Sequence, residues 1–210
     1  MYKGGKPRII PIIIAIVVVA LVVAALVSLG RILFSGGTSN TTTTSQSSSI
    51  QSDLLDTSSG RGVSFIERGP IVANESFKSY QIVVTPTTRT YTTYRGYQND
   101  VVTFKTYPNS QAAYEQFVYA LDKAYAYRVQ GSASDTDTRG VCATNGRLYT
   151  FETNNNGAAT HTLWTSTCKG SPGNMGANIA QIKALFVNQI PDFQPNYIDT
   201  KTQTITTPLQ

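Results

Sequence analysis

The chain has 210 residues, of which 40% are hydrophobic and 14% charged, with a formal net charge of +5, one histidine, one tryptophan and two cysteines. The length allows one domain of ordinary size with appendages. Lys3, Lys6, Arg8 and Arg31 flank a single apolar run, and residues 61–210 hold 13 basic against 10 acidic groups. The excess is therefore mostly a topology signal, and the scattered remainder excludes the electrostatic footprint of a nucleic-acid binder.

Residues 1–8 form a short basic N-terminus. Ile9 to Leu29 follow as 21 uncharged, mostly aliphatic residues. At 1.5 Å per residue they reach about 31 Å, the thickness of a hydrocarbon core, which predicts a transmembrane helix. Pro11 falls in its first turn, where the missing N–H costs nothing. The run is longer than the apolar part of a signal peptide, although Ala24, Ala25 and Ser28 leave cleavage open as the rival reading. Basic residues before the span place the N-terminus in the cytoplasm and the rest of the chain outside, at the cell membrane. Residues 30–60 read as a flexible linker, and its Ser/Thr/Gly-rich part from Ser35 to Gly60 has a reach of about 25 to 30 Å.

The body, residues 61–193, is long enough for its own core. Alternation predicts strands in GVSFIER, SYQIVVT, RTYTTY and VVTFKTY, the second and third joined through Pro86, Thr87 and Thr88. After Pro108 the period changes. Tyr114, Phe117, Val118, Leu121 and Tyr125 recur at helical spacing behind Asn109 or Ser110 as cap. RLYTFET and ATHTLWTST follow as strands joined by NNNG, then a helix with Ile179, Ile182, Phe186 and Ile190 on one face, stopped by Pro191. This pattern predicts an α+β domain with a largely antiparallel sheet and two helices. Residues 194–210 read as a disordered tail.

The stretch THTLWTSTC gathers the histidine, the tryptophan and one cysteine. Strand parity sends His161 and Cys168 to opposite faces, and seven residues of strand separate them by about 23 Å, so no Cys–His dyad arises there. Cys142 and Cys168 are equidistant from Asn155, so a hairpin turning on Asn154 to Asn156 sets them opposite each other, within reach of a disulfide. In an exported domain such a bridge is the expected fate of two cysteines. Against that register, Asn145-Gly146 is itself a turn signal that could fold Cys142 back early.

Trp164 reads as packing, and Ser166 lacks a nucleophile elbow. His161 has no second histidine to share a zinc ion. Asp135 to Gly140 begins like a calcium loop, but Arg139 and Gly146 stand where oxygen ligands are needed. No metal or other cofactor is expected, and no catalytic residues stand out. Nine of the twelve tyrosines lie between Tyr80 and Tyr127. Tyr91, Tyr94, Tyr97, Tyr119 and Tyr127 are the candidates for a tyrosine-bearing recognition face, since Tyr offers large contact area at low entropic cost.

The runs RGPIVANESFKSYQIVVTP, YEQFVYALDKA, LWTSTC and LFVNQIPDF, together with the Ile/Val-rich span, resemble a set of single-pass envelope proteins of ultrasmall candidate-phylum bacteria of the Saccharibacteria type. The resemblance covers most of residues 1–193 and implies a cell-surface setting. Its motifs carry no known chemistry, so no catalytic residue is transferred. The expected function is a non-enzymatic, membrane-anchored, extracytoplasmic binding module facing an envelope protein or glycan. The alternatives are an envelope hydrolase built from scattered residues and a subunit of a surface filament or secretion assembly.

Overall fold

A computed structural model describes residues 39–199, and the described residues from Thr43 onward form one compact unit. The six alternating runs become β1 (Arg61–Arg68), β2 (Lys78–Val84), β3 (Thr88–Arg95), β4 (Asp100–Pro108), β5 (Leu148–Asn155) and β6 (Ala158–Ser166). They form one antiparallel sheet in the order β4-β3-β2-β1-β5-β6. Three α-helices accompany it among the described residues: α1 (Ser39–Leu55), α2 (Gln111–Lys123) and α3 (Ile179–Val187). The protein is thus α+β.

Successive strand residues face opposite sides of a sheet. Val63 and Phe65 of β1, Tyr80, Ile82 and Val84 of β2, Tyr91 of β3, Phe151 of β5 and Leu163 of β6 share the face that packs on the helices. The helices answer with residues three and four apart: Tyr114, Phe117, Val118 and Leu121 from α2, and Ile182 and Phe186 from α3. Phe186 lies at the junction, its ring centroid 5.4 Å from Phe65, 5.1 Å from Phe117 and 6.2 Å from Phe151. Ser110 caps α2 by accepting the Ala113 amide at 3.3 Å. Soon after its end, Tyr125 takes a left-handed conformation, φ 56°, which turns the chain away.

Three expectations change. Within the supposed linker, Ser39–Leu55 is helical, and Ile50 and Leu54, one turn apart, are each only 1% exposed in the core. Serine and threonine are weak helix formers, so this helix is held by tertiary contacts, not by propensity. Besides the two apolar anchors, Gln51 Nε2 donates to Asp122 at 2.7 Å and Arg61 closes on Asp53 at 2.5 Å. Residues 197–199, expected to belong to the tail, also pack on the domain. Tyr197 donates its hydroxyl to the Tyr94 carbonyl at 2.8 Å, Asp199 pairs with Arg147, and Ile198 packs on the core.

The third change concerns the cysteines. The disulfide Cys142–Cys168 is present, with a Cα separation of 5.4 Å, but the two residues are not cross-strand partners. The β5–β6 hairpin turns on Asn156-Gly157, with φ 51° and 81°, the two positive values that a type I′ turn requires. That turn lies beyond the point midway between the cysteines. Cys142, with φ 63°, sits in the loop before β5, and Gly146 passes beneath the bridge, where a Cβ would come within 2.4 Å of Cys168 Sγ.

The expected span at Ile9 to Leu29, the N-terminus expected in the cytoplasm and residues 200–210 lie outside the described residues. Among the described residues no helix is long and apolar enough to cross a membrane.

Candidate functional site: the uncovered face of the sheet

The side chains that point away from the helices are Gly62, Ser64, Ile66 and Arg68 on β1, with Ser79, Gln81 and Val83 of β2 on one side and Thr150, Glu152 and Asn154 of β5 on the other. One corner of this second face is closed. The loop between α2 and β5 folds over it, leaving Trp164 5% and Leu148 3% exposed, and the indole Nε1 donates to the Asp135 carbonyl at 2.7 Å. Asn174, 1% exposed, accepts the Trp164 amide at 2.7 Å and donates to the Asp135 carbonyl at 2.8 Å. The Trp164 carbonyl takes the amides of Asn174 and Met175, so the outer edge of β6 is hydrogen-bonded here.

The rest of the face is a trough. A depression of about 360 Å³ is lined by Ser64, Gln81, Glu152 and Asn154 over a floor of Gly60 and Gly62. A second, of about 240 Å³, shares Gln81 and adds Ile66, Arg68 and Tyr94. A third, also about 240 Å³, shares Arg68 and runs to Phe77, Tyr97 and the loop at Arg139. Shared lining residues make the three one continuous feature along β1, each at or near the lower end of ligand-site volumes.

Its polar groups are ordered. The Ser64 hydroxyl, fully buried, donates to Glu152 at 2.7 Å and accepts from Asn154 Nδ2 at 3.2 Å. Tyr94 donates its hydroxyl to Gln81 Oε1 at 3.1 Å. Glu152 and Arg68 make no ion pair among the described residues; the Arg68 guanidinium lies 5.2 Å from the centroid of the Phe77 ring. One carboxylate, Glu152, lines the depressions, whereas hydrolysis of a glycosidic bond by a flanking pair needs two.

The tyrosine candidates divide. Tyr94 lines the trough, and Tyr97, 39% exposed, lies at its far end, stacked on Phe77 at 4.2 Å with its hydroxyl donating to the Val72 carbonyl. Tyr91, three residues from Tyr94, falls on the opposite face, fully buried among Tyr80 and Phe193, and burial pushes its phenol up to about 12. Tyr119 is exposed on α2, and Tyr127 beyond it packs edge-on against Tyr125. A single tyrosine-bearing face is therefore not formed. Nothing in the sequence singles out Arg68, Ser64 and Gln81; strand parity sets them on one face with Glu152, but only the strand order brings the four together.

Glu67, Asp53 and Asp137 are each paired internally. Glu67, 1% exposed on the helix face, accepts from Tyr80 at 2.5 Å and meets Lys183 at 2.7 Å and Arg147 at 3.3 Å. Burial and this carboxylate both push the Tyr80 phenol far above its ordinary value. His161 lies 3.9 Å from Asp53, which also holds Arg61, Thr153 and Thr160. Burial alone would raise the Asp53 carboxyl, but the two threonine hydroxyls and Arg61 outweigh it and hold it below the ordinary range. In the calcium-like stretch, Asp137 is taken by Arg139 at 2.6 Å. No group of three metal-ligating side chains occurs among the described residues.

Fold and site together define an α+β domain whose antiparallel sheet is covered by helices on one face and bears a polar trough on the other. No family model matches the chain, and neither the curated proteins nor the solved structures give a significant match to it.

Proposed function

We propose that the protein is a non-enzymatic, extracytoplasmic binding module of the cell envelope, anchored by Ile9 to Leu29, with the uncovered sheet face as its contact surface. The observation that carries this reading is the trough: adjoining depressions along β1, edged by hydrogen-bonding groups and by two charges that make no ion pair among the described residues. The Cys142–Cys168 bridge supports an oxidising compartment. The basic residues ahead of the apolar run support the orientation. The partner is an envelope protein or glycan.

The test places a photo-crosslinking residue at Gln81 in the trough or at Tyr119 on the helix layer of the full-length chain in native membranes. Mass spectrometry then identifies the adducts. The expected result is one partner in stoichiometric amount at Gln81, absent at Tyr119 and lost when Ile66→Arg fills the trough. Equal labelling at both positions, or none at Gln81, overturns the proposal.

A further inference from the structure

We infer that the trough recognises an extended peptide segment bearing a basic and an acidic side chain four residues apart. This deepens the reading of the uncovered face as a binding surface and rests on it. Among the strand residues that parity places on that face, Glu152 and Arg68 are the only charged ones. Elsewhere the carboxylates Glu67 and Asp53 are answered from within, Glu67 by Lys183 and Arg147 and Asp53 by Arg61.

The register fixes how far apart the two free charges stand. Glu152 lies opposite Ser64, and Arg68 lies opposite Leu148, so the charges are offset by four residues along neighbouring strands. At about 3.3 Å per residue, with strands about 4.8 Å apart, their Cα atoms are about 14 Å from one another. An extended peptide has the matching period. Residues i, i+2 and i+4 project from one side and span about 13 Å, so a Lys or Arg at i meets Glu152 while an Asp or Glu at i+4 meets Arg68. Residue i+2 then falls over Ile66, the apolar side chain that lines the second depression. A neutral ligand covering the same length would desolvate both charges without answering either, which is unfavourable.

Full-length protein in nanodiscs is titrated with fluorescein-labelled peptides, read by anisotropy: Lys-Thr-Val-Thr-Glu, the like-charged Lys-Thr-Val-Thr-Lys and Glu-Thr-Val-Thr-Glu, and the shortened Lys-Thr-Val-Glu. The expected order puts the first tightest, with each control weaker by about three- to fivefold, the range for one partly exposed ion pair. Glu152→Arg or Arg68→Glu alone loses a similar factor for Lys-Thr-Val-Thr-Glu. The double variant regains it, because the peptide can lie in the reverse direction. Glu152→Gln, which keeps an oxygen to accept from Ser64, and Arg68→Gln give the same losses with less disturbance of the fold. Indifference of binding to the peptide's charges, or a double variant no better than the singles, overturns the inference. If Gln81 still captures a partner in membranes while no peptide binds, the contact surface stands and the peptide chemistry falls.

Discussion

The helix α1 makes the sharpest prediction, because composition assigns the same residues to a free tether. Leu54 and Leu55 are adjacent, identical in chemistry and equal in helix propensity, yet Leu54 is 1% exposed and Leu55 36%. Leu54→Ala removes a buried side chain from the core, at a cost of about 3 kcal/mol. Leu55→Ala removes a surface group and should stay within about 0.5 kcal/mol of the parent. Trp164, the only tryptophan, is buried with its indole bonded to Asp135, so its emission reports unfolding without any label. With a urea dependence of about 2 kcal/mol per molar, Leu54→Ala moves the midpoint down by about 1.5 M, and Leu55→Ala leaves it in place. Both variants are measured in the full-length chain in nanodiscs. Equal midpoints for Leu54→Ala and the parent would show that α1 adds nothing to the fold.

Three further outcomes follow from the geometry. Replacing both cysteines by serine frees a loop closed over a sequence separation of 26 and lowers stability by about 3.5 kcal/mol on chain-entropy grounds; a loss under about 1 kcal/mol refutes that account. Asp53, held below its ordinary 3.8, contributes stability that is fully present above that value and is lost as pH falls through its folded-state value. The gap between parent and Asp53→Asn, about 2 kcal/mol at neutral pH, is therefore flat down to about pH 5 and closes below pH 4; a gap unchanged at pH 2.5 contradicts the assignment. Gly173 has φ 75° and a Cβ there would lie 2.1 Å from the Trp164 carbonyl, so Gly173→Ala should cost about 2 kcal/mol and shift Trp164 emission, and an unshifted spectrum argues against the close approach.

What the sequence reveals and conceals follows from the range of the forces involved. All six strands and the two later helices are legible because period-2 and period-3.6 patterns are local, and each buried face repeats over several residues. α1 hides because its apolar signal in the packed part is the pair Ile50 and Leu54, diluted among serines, and no composition average registers a helix stabilised by what it docks on. The disulfide is legible from compartment and pairing. Its register is not, because the hairpin obeys the Asn-Gly turn at Asn156 and not the arithmetic midpoint. Among the tyrosines, Tyr91 and Tyr94 are odd-spaced on β3, so parity alone separates a core ring from a trough ring. Pairing Glu152 with Arg68 on one surface requires knowing that β1 lies between β2 and β5.

The uncovered face departs from what stability alone would favour. A solvated face of an antiparallel sheet ordinarily carries polar side chains while the apolar ones turn inward. On β1 that alternation inverts at one step, with Glu67 facing the helices and Ile66 facing the trough. The inward carboxylate then needs Lys183, Arg147 and Tyr80 to satisfy it. A one-residue slip cannot repair this, because it would turn Val63 and Phe65 outward. Ser64 and Ser79 are buried with no helix above them among the described residues, since they are short and shaded by Gln81, Tyr94 and Glu152, which is how a flat sheet acquires a recessed floor. Departures from binary patterning in natural chains concentrate where function sets the residue. Here they place an apolar side chain midway between two opposite charges that make no ion pair among the described residues, the arrangement that an extended, oppositely charged segment complements.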